Sequence, residues 1–152
     1  MSNHKPEYDY AGYLNYLLPT AELRKSVRLA KKELKKYEFD AIAFRGMSGA
    51  LIAPPLALAL NKTLIMVRKP DKEGKTHSYM KVEGDRAAKK YVIVDDRVDT
   101  GHTTKVIYDE VKKFAPDAKL LGVFCIKNMR WYEDEFISIK DLEITWELNG
   151  LK

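Results

Sequence analysis

A single cysteine, Cys125, stands in the 152 residues of this chain. An internal disulfide is therefore excluded, as are the cysteine clusters of structural zinc sites. Sparse cysteine also fits a reducing compartment, and a cytoplasmic location is expected. Long apolar runs are lacking: none reaches the roughly 18 residues that suggest a membrane-spanning helix. The opening stretch, MSNHKPEYDYAGYLNYLLP, has no basic region followed by an apolar one, so no secretory signal is expected. The pattern GxxxxGK[ST] does not occur, which removes a Walker-type loop, and GxGxxG is missing as well, which removes the dinucleotide fingerprint. There are no repeats and no low-complexity segment.

Hydrophobic residues make up 45% and charged residues 32%, the balance of an ordinary globular protein. The length suggests one domain, residues 1–152, able to bury about 70% of its unfolded surface. The formal net charge of +5 admits nucleic acid, an anionic membrane or a small polyanion as partner. Much of that charge sits on one predicted helix, ELRKSVRLAKKELKK, where a solvated lysine face explains it. A second basic cluster, VRKPDKEGK, falls in a predicted loop and invites a functional reading.

Pro19 and Thr20 mark a helix start, with Thr20 as N-cap, and Leu23, Val27, Ala30 and Leu34 form its apolar stripe. Short apolar runs at Ala41 to Phe44, Thr63 to Val67, Tyr91 to Val94 and Leu120 to Ile126 read as buried strands. Helices are expected from Ala50 to Leu60, with Pro54 and Pro55 in the first turn, and from Thr103 to Phe114. Strands alternating with helices imply an α/β fold: an open doubly wound parallel sheet with helices on both faces. Ligands bind such sheets at the carboxyl ends of the strands. Those ends are Arg45 to Gly49, Arg68 to Asp85, Asp95 to His102, and Lys127 onward, so every unusual polar segment falls on one edge. Arg68 to Asp85 is long for a connection, and long loops are often functional.

The segment YVIVDDRVDTGHTTK is the most informative. An apolar strand delivers Asp95 and Asp96 at its end, and TGHTT then opens a helix. Backbone amides at a helix N-terminus bind phosphate, Gly101 allows close approach, and Thr100, Thr103 and Thr104 add hydroxyl groups. One end of the loop suits a phosphate and the other suits hydroxyls or a metal-bound sugar, which a ribose 5-phosphate combines. Turn and cap roles for Asp96 and Asp99 are the plain alternative.

The strand–DDxxDTGxT–helix arrangement resembles the 5-phosphoribosyl 1-pyrophosphate (PRPP) signature of type I phosphoribosyltransferases, most closely the purine enzymes of that family. The resemblance covers residues 40–127 well and the N-terminal helix poorly. It implies that Asp95 and Asp96 hold the ribose hydroxyls and a Mg²⁺ ion, and that Asp99, Thr100, Gly101, His102, Thr103 and Thr104 wrap the 5′-phosphate. The family often has glycine where His102 stands. AFRGMSGALIAPPLA resembles the family's pyrophosphate loop, so Arg45 and Gly46 are expected to bind PRPP, with Arg45–Gly46 a candidate cis peptide. VRKPDKEGKTHSYMKVEGD is similar to the flexible catalytic loop and its flanking strands. There Arg68 and Lys69 would neutralise the leaving pyrophosphate, and His77 stays unassigned.

The resemblance gives two signals about the base. Asp99 stands where 6-oxopurine enzymes have a proton-exchanging aspartate, while VRKP is similar to adenine enzymes. Lys127 and Trp146 are expected at the base, in a small C-terminal hood spanning about 128–152. Hypoxanthine, guanine or xanthine is the favoured acceptor, with adenine and orotate as alternatives. A non-catalytic PRPP-binding regulator of RNA or transcription is the rival class, although the basic helix has the apolar stripe of a packed element. A homodimer is implied by the resemblance, and neither nucleic acid nor a membrane is expected as partner.

Overall fold

A computed structural model describes residue 15 and residues 17–70, 80–126 and 135–151. Helix α1 (Thr20–Leu34) begins after Pro19, whose carbonyl accepts the Leu23 N–H at 3.0 Å. Thr20 is therefore the first helical residue and not the cap, and no side chain caps this end. The expected stripe faces inward: Ala30 and Leu34 are fully buried, and Leu23 and Val27 pack against the same core. Arg24, Lys25, Arg28, Lys31 and Lys32 are exposed.

Strand β1 (Ala41–Phe44) is buried throughout and leads directly into α2 (Gly46–Leu60). This helix starts four residues before the expected Ala50, because RGMSG coils into its first turn. Pro54 and Pro55 consequently sit in the third turn. Proline there removes the donors for the Ala50 and Leu51 carbonyls. Both residues are half-exposed, so water can reach those groups, and burial of Ile52, Ala53, Leu56 and Ala57 holds the opposite side. Asn61 ends the helix in the left-handed conformation.

The remaining elements are β2 (Thr63–Val67), β3 (Val82–Gly84), β4 (Lys90–Asp95), α3 (His102–Phe114), β5 (Lys119–Cys125), β6 (Glu135–Ser138) and α4 (Ile139–Leu148). They form one six-stranded sheet in the order β3-β2-β1-β4-β5-β6. The inner four strands run parallel, and β3 and β6 are antiparallel edges. Alternation along each strand divides the core in two. Ala41, Ala43, Tyr91, Ile93 and Val123 face α3 and α4, while Ile42, Phe44, Val92, Val94 and Phe124 face α1 and α2.

The doubly wound architecture is that expected, and β3 flanks the basic loop as anticipated. In the C-terminal segment β6 extends the sheet through Ser138↔Gly122 and Phe136↔Phe124, and α4 packs on β5 and β6. Gly122 makes this pairing possible, since a Cβ there would collide with the Ile137 carbonyl. Among the described residues no peptide bond is cis, Arg45–Gly46 included, and no helix is long and apolar enough to cross a membrane.

Candidate active site

Strand order reverses at β1 and β4: the chain leaves β1 toward β2 on one side and returns to β4 on the other. A crevice opens at the carboxyl ends of strands at such a point. Here it is a cavity of about 230 Å³ between residues 45–48 after β1, Lys69 after β2, and residues 95–104 between β4 and α3.

Asp95 closes β4 and is buried. Its Oδ1 accepts the Asp96 N–H at 2.8 Å and the Ser48 hydroxyl at 3.4 Å. Burial away from water, reinforced by the neighbouring Asp96 carboxyl, raises its pKa to about 7. Asp96 is half-buried, and its Oδ1 accepts the Arg97 N–H at 2.8 Å. Ser48 lies inside the RGMSG loop, where a serine in a tight turn carries no signal of its own in the sequence.

Gly46 takes φ +78°, and the Lys69 Cε and Nζ lie 3.6 Å from where a Cβ would stand, so the ammonium rests over bare backbone. Gly49 has a tighter constraint. A Cβ there would meet Phe44 Cβ at 2.9 Å and the Val94 carbonyl at 3.2 Å, which lets α2 start directly against the sheet. Arg45 Nε is buried with no partner among the described residues. Burial lowers the Arg45 pKa, opposed by Glu110.

Gly101, at φ +85°, is the N-cap of α3. The Lys105 N–H makes the first bond back, to the Gly101 carbonyl at 2.9 Å, so the N–H groups of residues 101–104 have no acceptor within the helix. That of His102 turns to Thr100 Oγ1 at 3.3 Å. The amides of Gly101, Thr103 and Thr104 have no acceptor among the described residues, and all three residues line the cavity at the positive end of the helix dipole.

Most of the expected site residues thus converge: Arg45, Gly46, Lys69, Asp95, Asp96 and residues 99–104 all line the cavity. Arg68 does not. Successive residues leaving a strand point to opposite sides, and Arg68 turns away to pair with Glu83 of β3 at 2.8 Å. The Thr104 hydroxyl is also taken: it is buried, donates to the Gly101 carbonyl at 2.8 Å and accepts the Trp146 indole N–H at 3.1 Å. Trp146 is only 4% exposed and lies beneath the loop, with Tyr108 5.2 Å and Lys105 5.1 Å from its ring. Its faces are covered, so the expected stacking on a base is replaced by packing under Gly101. Lys127 and His77 lie outside the described residues. Among the described residues no group of three or more His, Cys, Asp or Glu side chains could hold a metal ion.

The family model described as phosphoribosyl transferase domain matches residues 15–150. The chain belongs to that family. Adenine phosphoribosyltransferase from Petrotoga mobilis is 32% identical over 142 residues, covering 84% of this chain and 80% of that protein. Among solved structures, purine phosphoribosyltransferase from Pyrococcus horikoshii is 30% identical with a TM-score of 0.55, covering 71% of this chain and 73% of its own. Adenine phosphoribosyltransferase from Saccharomyces cerevisiae, complexed with adenine and an imino-altritol bisphosphate, is 25% identical with a TM-score of 0.56, covering 73% and 70%. This phosphoribosyltransferase therefore transfers a phosphoribosyl group to a nucleobase, and the loop after β4 is the segment expected to carry the signature.

Proposed function

We propose that the protein is a Mg²⁺-dependent purine phosphoribosyltransferase of nucleobase salvage that takes PRPP as donor and adenine as its principal acceptor. The observation that carries the reading is the meeting, in one cavity, of a buried carboxylate, a cationic lysine and a helix N-terminus with free amides. In this reading the 5′-phosphate lies on the Gly101, Thr103 and Thr104 amides, with Thr100 and Thr103 supplying hydroxyls. Asp95 and Asp96 accept the ribose hydroxyls and oppose positive charge developing on the sugar. Arg45, the Gly46 backbone and Lys69 receive the pyrophosphate. The bond from the anomeric carbon to the pyrophosphate oxygen breaks with its electron pair leaving on oxygen. A ring nitrogen of the base forms the new bond, and Asp99, exposed at the cavity, takes the proton that this nitrogen loses.

Mg²⁺ fits the donor set. Two carboxylates, with no third ligand among the described residues, suit an ion that completes its octahedron with substrate oxygens and water. When bound it would neutralise charge on the departing pyrophosphate. The raised pKa of Asp95 agrees with a carboxylate lacking a counter-charge in the free protein.

Adenine moves ahead of the 6-oxopurines for two reasons. Lys127, the second support for an oxo group after Asp99, lies outside the described residues. The relatives carry the adenine name, in agreement with VRKP. Asp99 lines the cavity and supports hypoxanthine, guanine or xanthine as the second reading. Both readings rest on one domain, residues 1–152, acting in the cytoplasm. The expected homodimer would need an apolar face, and α2 offers one: its 15 residues include no charge, and Met47 and Leu58 are 70% and 85% exposed. The test is kcat/KM for adenine, hypoxanthine, guanine, xanthine and orotate with PRPP and Mg²⁺. A tenfold lead for a 6-oxopurine would transfer the assignment to the second reading, and PRPP binding without turnover of any base would indicate the regulator.

A further inference from the structure

Four observations converge behind the loop of residues 99–104. The Trp146 indole N–H donates to Thr104 Oγ1 at 3.1 Å, and that hydroxyl spends its own hydrogen on the Gly101 carbonyl at 2.8 Å. The chain of two bonds is buried: Thr104 is 1% and Trp146 4% exposed. The indole edge fills the space where a Gly101 Cβ would be, with Cδ1 at 2.6 Å and Nε1 at 2.9 Å. Finally, the Gly101 carbonyl that receives the Thr104 hydroxyl also receives the Lys105 N–H, so one oxygen takes both the side-chain bond and the first turn of α3.

These contacts define the orientation of one peptide. Gly101 sits in the left-handed region at φ +85°, and rotation of its carbonyl would swing the following amides away from the cavity. A glycine is the residue least able to hold such a conformation by itself. The restraint comes instead from a tryptophan 45 positions later, on a helix that has no residue lining the cavity. Lys105 and Tyr108 hold the ring in turn. The Lys105 Nζ lies 5.1 Å from the indole and is fixed by Asp109 at 2.9 Å, while the Tyr108 ring lies 5.2 Å away.

We propose that Trp146 is a positioning residue of the transferase, which acts through Thr104 to hold the Gly101 carbonyl inward and the amides of Gly101, Thr103 and Thr104 outward toward the donor's 5′-phosphate. The inference rests on the reading of residues 99–104 as the 5′-phosphate loop. Its consequence is a specific split in the kinetics. The 5′-phosphate is bound equally in the ground and transition states, so a loosened loop weakens donor binding and leaves the chemical step alone.

The test uses the full chain and three variants, each checked by thermal melting and circular dichroism. Thr104→Val keeps the shape and removes both hydrogen bonds, Trp146→Phe keeps a buried ring and removes the N–H, and Thr104→Ser keeps the hydroxyl. Calorimetry with ribose 5-phosphate and steady-state kinetics with varied PRPP are the readouts. Thr104→Val and Trp146→Phe should each raise the ribose 5-phosphate Kd and the PRPP KM by about tenfold, with kcat within about twofold and the KM for the base unmoved. Thr104→Ser should recover most of the loss. If one of the first two variants fails to fold, the other carries the comparison. Should both fail, hydrogen exchange of the Trp146 indole in the wild type decides: slowing on addition of ribose 5-phosphate supports the coupling, and an unchanged rate overturns it. Folded variants that bind ribose 5-phosphate as the wild type does would overturn the proposal and leave the phosphate-loop reading standing. A wild type that binds PRPP but gains nothing from its 5′-phosphate would overturn the loop reading, and this proposal with it.

Discussion

Asp95→Asn should make the ligand-free protein more stable at pH 8 while removing its ability to bind PRPP. The wild-type carboxyl is held at about 7, against 3.8 for the free side chain, because burial and the neighbouring Asp96 both disfavour its charge. For a carboxyl raised in the folded state, the unfolded chain gives up its proton first. The folded protein then loses stability as pH climbs from about 4 through 7. The full penalty above pH 7 is roughly 4 kcal/mol, and more than half of it falls between pH 5 and pH 8. Asparagine cannot ionise, and its Oδ1 can still accept the Asp96 N–H and the Ser48 hydroxyl that Asp95 accepts. The difference between variant and wild type therefore reports the titration of Asp95 together with its neighbour Asp96 and cancels the more distant groups. Urea unfolding at pH 5 and pH 8 reads it: the midpoint of the variant relative to wild type should rise by about 1–2 M between the two conditions. Mg²⁺ with PRPP should narrow the gap, since ligation supplies the missing counter-charge to wild type alone. A variant that tracks wild type at both pH values, or loses ground at pH 8, would refute the account of a carboxylate destabilised by its own charge.

Three further outcomes follow from the geometry. Lys69→Ala should lower kcat at least tenfold with little change in base affinity, whereas Arg68→Ala, whose partner is Glu83, should show the smaller kinetic loss; equal losses would return Arg68 to the site. Gly101→Ala should cost about 1–3 kcal/mol of stability by urea unfolding and weaken PRPP binding, because φ +85° and the 2.6 Å approach to Trp146 both exclude a Cβ; a neutral result would mean the loop yields freely. Polyanion binding by the exposed cations of α1 should be weak and fall steeply with salt in a filter or anisotropy assay, and an RNA or DNA complex that persists at physiological salt would favour the regulator.

The order of elements was legible because short β-branched and aliphatic runs, separated by helical stripes, leave one economical arrangement for burying both faces of a sheet. Asp95, Asp96 and residues 99–104 stand out in the sequence because the signature is contiguous: one strand end, one turn and one helix start carry it all. What sequence alone could not resolve depends on contacts between distant segments. The onset of α2 at Gly46 is set by the fit of Gly49 against Phe44 and Val94, and that fit overrides the usual reading of two prolines as a first turn. Arg68 and Lys69 are adjacent and equally cationic, and only the pairing of β2 with β3 puts Glu83 beside the first and leaves the second at the cavity. Trp146 offered no local signal at all. An aromatic on an amphipathic helix can cover a ligand or fill a core, and packing α4 beside α3 placed its ring beneath Gly101, where its one donor found the Thr104 hydroxyl. Local chemistry is written in neighbouring residues, but which polar group becomes free for a ligand is decided by which partners the fold has already brought to the others.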